Sequence, residues 1–363
     1  MKRIIIDARE SGTSTGRYID KLVEYLYRLN PTHEIIILTK PDRTAFFQEI
    51  TPNFKILSSP YQEFSFAEQL SFKKQLNSLK PDLVHFAMTQ QPILYRGKTI
   101  TTIHDLTTIR FNNPAKNKVF FKIKQNIYKV VILISAKKSN FILTPSNFVK
   151  KDLQKYSHIN SNKIIVTYEA ADKITDKTII LPALTNKKFL LYVGRPNPHK
   201  NLERLIKAFE ILRQTYPDLL LVLAGKKDAN YIKIESELNI NIKPYIIFTD
   251  FISDGQLHYL YENCLAYVFP SLSEGFGLPG LEAMIHGAPV ISSSATCLPE
   301  IYGSAASYFN PLSVDDMVRT ISLVISDKNI RNKLITAGYL QVKKYSWQRM
   351  VNQTLDVYNK ALL

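Results

Sequence analysis

The stretch AYVFPSLSEGFGLPGLEAMIHGAPVI, residues 266–291, reads as a buried strand (AYVFPS), a loop (LSEGFG), a helix (LPGLEAMIHG) and the opening of another strand. Pro279 sits where a helix tolerates proline, in its first turn, and Gly287 stands where helices end. A strand that returns through a helix to a second strand makes a parallel pair with one face covered. The same alternation recurs outward from this stretch. On the amino-terminal side, RIIID, EIIILT, DLVHF, TITTIHD and FILTPS are short β-branched runs separated by segments of helical period. A second series starts at Phe189 with FLLYVG and continues through LLLVLAG, YIIFTDF, AYVFPS and PVISSS. The sequence therefore predicts two α/β halves, each a parallel sheet covered on both faces. Residues 169–188 lack a sustained period and form the expected hinge, leaving domains at 1–168 and 189–345. The last helix, 346–363, is expected to cross back to the first domain. Two such sheets set face to face leave a cleft at the carboxyl ends of their strands, where ligands bind in open α/β sheets.

The composition suits this reading. A chain of 363 residues with 45% hydrophobic and 21% charged residues has the material for two globular domains. Cys264 and Cys297 lie in apolar stretches without metal-ligand spacing, which points to a reducing, cytoplasmic setting. The opening MKRIIIDARE turns polar too soon for the core of a signal peptide, and the longest apolar run, VVILI at 130–134, is far too short to span a bilayer. The net charge of +16 is unevenly spread: 26 basic against 12 acidic residues in 1–168, and 21 against 19 in 169–363. Within 110–163, twelve basic residues meet one acid, Asp152. With apolar residues at helical spacing between its lysines, that segment reads as a surface for an anionic membrane. No zinc-finger or RRM signature and no basic region followed by heptads is found, so nucleic acid is not an expected partner.

Glu274 and Glu282 lie eight positions apart around Gly275, Gly277, Gly280 and Pro279. The glycines keep side chains away from the backbone, and the amides at the helix start make an anion site suited to phosphate. Glu274 is expected on the loop and Glu282 in the opening turn. In this setting PSLSEGFGLPGLEAMIHGAPVI resembles the signature of the retaining, nucleotide-sugar-dependent glycosyltransferases of family 4. That resemblance implies the GT-B fold, with two Rossmann-like domains facing each other across a cleft. It also implies that Glu274 contacts hydroxyls of the donor sugar, that Glu282 binds the ribose, and that the amides of Phe276, Gly277 and Leu278, after Gly275, hold sugar and phosphate.

Other segments carry the resemblance further. GRPNPHKN, residues 194–201, is similar to the family's G-R-x-x-x-x-K-N, which places Arg195 and Lys200 on the donor diphosphate and Gly194 at the strand end. A guanidinium and an ammonium there can neutralise a leaving diphosphate. LAGKK at 223–227 puts Gly225 at the strand end near the nucleotide, while Asp250 stands where a glycine is common. TTIHDL places His104 and Asp105 at a strand end, and in the mannosyltransferase-like branch the histidine lines the site near the reacting sugar. SGTSTGRYIDKL matches that branch at Gly16 and Arg17, in a loop the family uses for acceptor and donor phosphate. It lacks the G-x-G-x-x-G spacing that a nicotinamide oxidoreductase needs. Trp347 is read as a core anchor.

The implied activity is transfer of a hexose, mannose favoured on GRY and HDL, from a nucleoside diphosphate sugar such as GDP-mannose to a hydroxyl of a glycan or lipid-linked glycan. No metal or other cofactor is expected, since Arg195, Lys200 and a helix start take the place of a divalent ion and no Asp-x-Asp motif is present. The alternatives are a nucleotide-sugar epimerase of the same architecture and a non-catalytic, membrane-associated nucleotide-sugar binder. The first lacks the paired motifs, and the second has no reason to keep Glu274 and Arg195. The expected location is cytoplasmic, with peripheral contact to the inner face of the membrane.

Overall fold

A computed structural model describes residues 1–13, 16–111 and 118–363, with the backbone alone at 118–120. Two residues of the loop before Gly16, 14 and 15, and residues 112–117 of the basic segment lie outside the described residues. The chain divides into two compact units. The first comprises Met1–Ile109, Lys122–Glu169 and Ser346–Leu363; the second is built on Ala170–Tyr345.

The first unit holds β1 (Arg3–Asp7), β2 (Glu34–Thr39), β3 (Lys55–Ser58), β4 (Leu83–Phe86), β5 (Thr99–Thr102), β6 (Phe141–Thr144) and β7 (Ile164–Val166). They form one parallel sheet in the order β3-β2-β1-β4-β5-β6-β7. Ile4, Ile5 and Ile6 are all fully buried, because a central parallel strand is covered on both faces and needs no polar alternation. Ile5 pairs with Ile36 on one side and Val84 on the other. The helix Gly16–Leu29 buries Tyr18, Ile19, Leu22, Val23 and Leu26, one face at a period of 3.6. Against it packs the helix Trp347–Leu362, which buries Trp347, Met350, Val351, Thr354, Val357, Tyr358 and Ala361. Trp347 is thus a core residue.

The second unit holds β8 (Lys188–Val193), β9 (Leu219–Ala224), β10 (Ile246–Phe248), β11 (Ala266–Phe269), β12 (Val290–Ser293) and β13 (Ala306–Phe309). Their order is β10-β9-β8-β11-β12-β13, again all parallel. Strand order reverses between β8 and β11, so the loops after these two strands diverge at the sheet's carboxyl edge and leave a crevice. Those loops carry residues 194–201 and 270–277. The segment expected as a hinge packs on this unit: Ile174 N–H donates to His286 Nε2 at 3.0 Å, and Ile179 N–H to the Gly255 carbonyl at 2.9 Å. Asp250 has φ of +57°, so the residue in a glycine's place adopts the left-handed backbone that favours glycine. Its carboxylate accepts from Lys227 N–H at 2.8 Å, the local bonding that lets Asp tolerate this region.

Candidate functional site

The loop after β8 is fastened to the loop after β11. Asn201, with φ of +61°, donates from Nδ2 to the carbonyls of Pro270 and Pro311 at 3.1 and 2.8 Å, and Leu272 N–H donates to His199 O at 2.7 Å. Asn201 ends the short 3₁₀ turn Pro198–Lys200 and starts the helix Leu202–Thr215. These bonds carry Lys200 to Glu274: Nζ stands 2.7 Å from Oε1, with the side chains 17% and 13% exposed. Glu274 is itself fixed through its backbone, its N–H donating to Thr296 Oγ1 at 3.1 Å and its carbonyl accepting from Cys297 Sγ at 3.3 Å. The two residues the sequence assigned to neighbouring parts of one ligand therefore meet across the switch point.

Just beyond Glu274 the helix Leu278–Ile285 begins. Its N-cap is Gly277, with φ of +95° and no side-chain cap, so no side-chain oxygen of the usual capping kind occupies this helix start. Gly275, Phe276 and Gly277 are buried, and Leu278 opens the helix half-buried. The helix dipole and first-turn amides favour an anion at this place.

Two expectations need correction. Gly277 and Gly280 are expected from the sequence to bare the backbone for a ligand. A Cβ on Gly277 would stand 2.5 Å from the hydroxyl of Tyr302, and one on Gly280 would stand 2.3 Å from it and from the ring carbon that bears it. Tyr302 is fully buried and its hydroxyl donates to the Gly277 carbonyl at 2.6 Å, so both glycines make room for that ring. Glu282 is not in the opening turn: the first turn holds no acid, and Glu282 lies on the second. It is 8% exposed and accepts from the Tyr261 hydroxyl at 3.3 Å, which makes it a buried carboxylate rather than a dipole partner at the surface.

The remaining candidates of this unit fall at adjoining strand ends. Gly194 N–H donates to Ala224 O at 2.9 Å, and a Cβ on Gly225 would stand 2.6 Å from Gly194 O, so the β8 and β9 ends touch. Buried hydroxyls brace these turns: Tyr231 donates to Gly194 O at 2.8 Å and Tyr192 to Arg195 O at 3.1 Å. Arg195 itself is exposed and makes no ion pair among the described residues, so it stays apart from the Lys200–Glu274 pair. Among the described residues, no three His, Cys, Asp or Glu side chains are grouped so as to hold a metal.

In the first unit His104 follows β5. Its Nδ1 lies 3.2 Å from Glu169 Oε1 and its Nε2 3.2 Å from Ala87 O. A carbonyl only accepts, so Nε2 donates to Ala87 O, and Nδ1 faces the carboxyl group of Glu169. Burial works against a charged ring, but the hydrogen bond and charge of Glu169, then Ala87 O and Asp105, outweigh it and raise the pKa. Tyr18 meets the ring edge-on at 4.8 Å. Behind it, the Tyr18 hydroxyl shares a bond with Thr102 Oγ1 (3.0 Å), Thr102 with His85 Nε2 (2.8 Å), and His85 Nδ1 with the Tyr358 hydroxyl (2.6 Å). Asp105 is spent locally, accepting from Thr107 N–H at 2.7 Å. Gly16 starts its helix against the preceding loop, a Cβ there falling 2.3 Å from Glu10 O. Sequence reasoning missed Glu169, which stands at the start of the expected hinge: 65 residues separate it from His104 and only the fold joins them.

A profile of the Glycosyl transferases group 1 family matches residues 174–341, and one of Glycosyltransferase Family 4 matches residues 15–173. The O-antigen chain mannosyltransferase B of Escherichia coli is 29% identical over 280 residues, covering 72% of this chain and 70% of that protein. The serotype-specific mannosyltransferase WbdA of Escherichia coli is 29% identical over 73% of this chain, which spans only 34% of its length. Among solved structures, HepE of Anabaena in complex with UDP and glucose shares the fold, with a TM-score of 0.76 at 14% identity over 99% of this chain and 100% of that one. The two profiles meet without a gap, on either side of residue 173, over two parallel-sheet α/β units, and the chain belongs to the family 4, group 1 glycosyltransferases of the GT-B fold.

Proposed function

We propose that this glycosyltransferase moves mannose from GDP-mannose to a hydroxyl of a glycan or lipid-linked glycan during surface polysaccharide synthesis, with retention of anomeric configuration and without a metal. The observation that carries this reading is the Lys200–Glu274 pair beside the helix start at Gly277. An ammonium and a set of helix-start amides suit a diphosphate, and the adjoining carboxylate suits sugar hydroxyls. Glu282, buried on the same helix, suits the ribose. Arg195, exposed and without an ion-pair partner among the described residues, is available to the diphosphate. The mannosyltransferases among its relatives support the sugar; UDP in HepE marks the competing donor base.

In the proposed step the acceptor oxygen bonds to the anomeric carbon from the face that the diphosphate leaves. The bond from that carbon to the phosphate oxygen breaks, and the departing phosphate takes the acceptor proton. No protein base is assigned. His104 suits this, because both of its ring nitrogens already have partners within the first unit, Glu169 and Ala87 O.

The expected surface contact is a peripheral one with anionic membrane. Ile123, Ile127 and Val130 share one face of the helix Lys118–Lys138 and are each about half exposed, at 52%, 50% and 52%, with Lys122 and Lys124 flanking that face on either side. Loss of flotation with anionic vesicles in Ile123→Ser/Ile127→Ser is the expected result.

The main test is a donor panel read by thermal shift and by nucleotide release. GDP-mannose is expected to protect and to turn over, and protection by UDP-sugars alone would overturn the mannose reading. Glu274→Ala and Lys200→Ala are each expected to cut GDP release with acceptor by about 10²-fold or more, the usual scale for losing one stabiliser of developing charge.

A further inference from the structure

The first unit contains a cavity of about 820 Å3 that the donor reading does not use. It lies between the helix Lys73–Ser78, the loop 93–97 and the last turn of the helix Lys118–Lys138. Pro81 leads into β4 and Gly97 into β5, so the cavity opens at the amino ends of these strands. His104 follows the carboxyl end of β5, at the opposite edge of the sheet. The cavity is therefore separate from the candidate site of this unit.

We propose that this cavity is a binding site for a phosphate group, free or carried by a lipid. Four cations line it, Lys73, Lys80, Arg96 and Lys138, and no carboxylate does. None of the four forms an ion pair with a carboxylate among the described residues, although unit 1 has many such pairs elsewhere. Like charges around one concavity repel, and an anion resting among them removes the repulsion and gains attraction from each.

The walls are prepared for this. Lys138 is drawn inward: its ammonium donates to the carbonyls of Pro92 and Ile93 at 3.3 and 3.4 Å and stands 5.7 Å from the centre of the Tyr95 ring. Those bonds leave a third N–H of the ammonium for a ligand. Burial holds its pKa down at about 8, and a bound anion would favour the charged form and raise it again. Tyr95 is 4% exposed and lies against Gly97, where a Cβ would meet its hydroxyl at 2.2 Å, so the wall depends on the glycine. Arg96 supplies a planar fork and the lysines point charges, the combination that recognises phosphate oxygens. The volume exceeds that of a lone ion and falls in the range of small-molecule sites. At its lip Leu94 is 61% exposed, an apolar side chain placed where the chain of an amphiphile would leave.

The test uses the whole protein and three probes: inorganic phosphate, sn-glycerol 1-phosphate, and vesicles of phosphatidylglycerol in phosphatidylcholine against phosphatidylcholine alone. Lys73→Ser/Arg96→Ser removes two half-buried or exposed cations without touching a described bond. Lys55→Ser/Lys360→Ser removes two exposed cations of the same unit that are not in the cavity wall, and controls for net charge. Binding of at least one phosphate probe by the wild type is expected, with a loss on the order of 25-fold in the first variant, about fivefold per cation, and little change in the control. Lys138→Gln, checked for folding by circular dichroism, is expected to show a comparable loss. Binding of both soluble probes without flotation assigns a soluble phosphate compound; flotation on phosphatidylglycerol, lost in the same variant, assigns the lipid headgroup. Absence of binding by all three probes, or equal losses in cavity and control variants, would overturn the site.

Discussion

At the residue scale the chemistry of the first unit rests on which groups can donate. His104 is flanked by a carboxylate and a carbonyl, which favour its protonated form and raise its pKa. Glu169 is the positioning residue that holds this state. Glu169→Gln removes the charge and half of the accepting capacity, so the raised pKa of His104 falls back toward its ordinary value. If the imidazolium is the active form, the alkaline limb of kcat/KM moves to lower pH, so the loss grows as pH rises and shrinks as pH falls. A merely structural loss lowers the whole profile without moving the limb, and that outcome removes His104 charge from the mechanism. Stability follows the same sign. A histidine whose folded pKa is raised contributes below its unfolded pKa, and that contribution disappears as pH rises through the folded value.

At the element scale the helix Leu278–Ile285 shows how much of the site was legible and where reading stopped. Its place after a buried strand, its proline and its glycine boundary are local signals, and the helix forms where they put it. The role of its glycines was not legible, because it depends on Tyr302, more than twenty positions further along and brought over by packing. The strands show the same division. Central strands such as β1 and β8 are long apolar runs and could be read, whereas β3, β7 and β13 are edge strands of three or four residues whose pattern is too short to stand out. Lys200 and Glu274 were each named from motifs, but their contact was not, since spacing along a chain carries no distance across a switch point. The glycine correction makes its own prediction. Gly280→Ala forces a methyl into the Tyr302 ring and is expected to cost about 1–3 kcal/mol in denaturant unfolding. In a double-mutant cycle with Tyr302→Ala the two costs are expected to be strongly non-additive, the alanine pair being more stable than their sum. Additive costs would mean that the glycine serves something other than this ring.

At the scale of the whole molecule the first unit is assembled from both ends of the chain, and the closing helix is held by polar bonds as well as by its apolar face. Tyr358 reaches His85, Lys98 donates to Ala361 O at 2.9 Å, and His33 meets Asn359 at 2.8 Å. His85 is fully buried, and burial, with the charge of His104 adding to it, pushes its pKa down to about 3. A histidine with a depressed folded pKa contributes stability that is complete above about 6.5 and is lost as pH falls toward the folded value. Trp347, the single tryptophan of the chain, is buried on the same helix and reports on this unit. Tyr358→Phe leaves one His85 nitrogen without its partner, an expected cost of about 1–3 kcal/mol in the transition followed by Trp347 fluorescence. Because the lost hydroxyl lies in the first unit, the GDP-mannose affinity assigned to the second is expected to stay within about twofold at a temperature where both are folded. Between pH 6.5 and 4 the wild type is expected to lose stability more steeply than His85→Gln, which has no proton to take up at this position. Equal acid slopes in the two proteins would show that His85 is not held neutral by the fold, and an unchanged Trp347 transition in Tyr358→Phe would show that the closing helix is held by its apolar face alone.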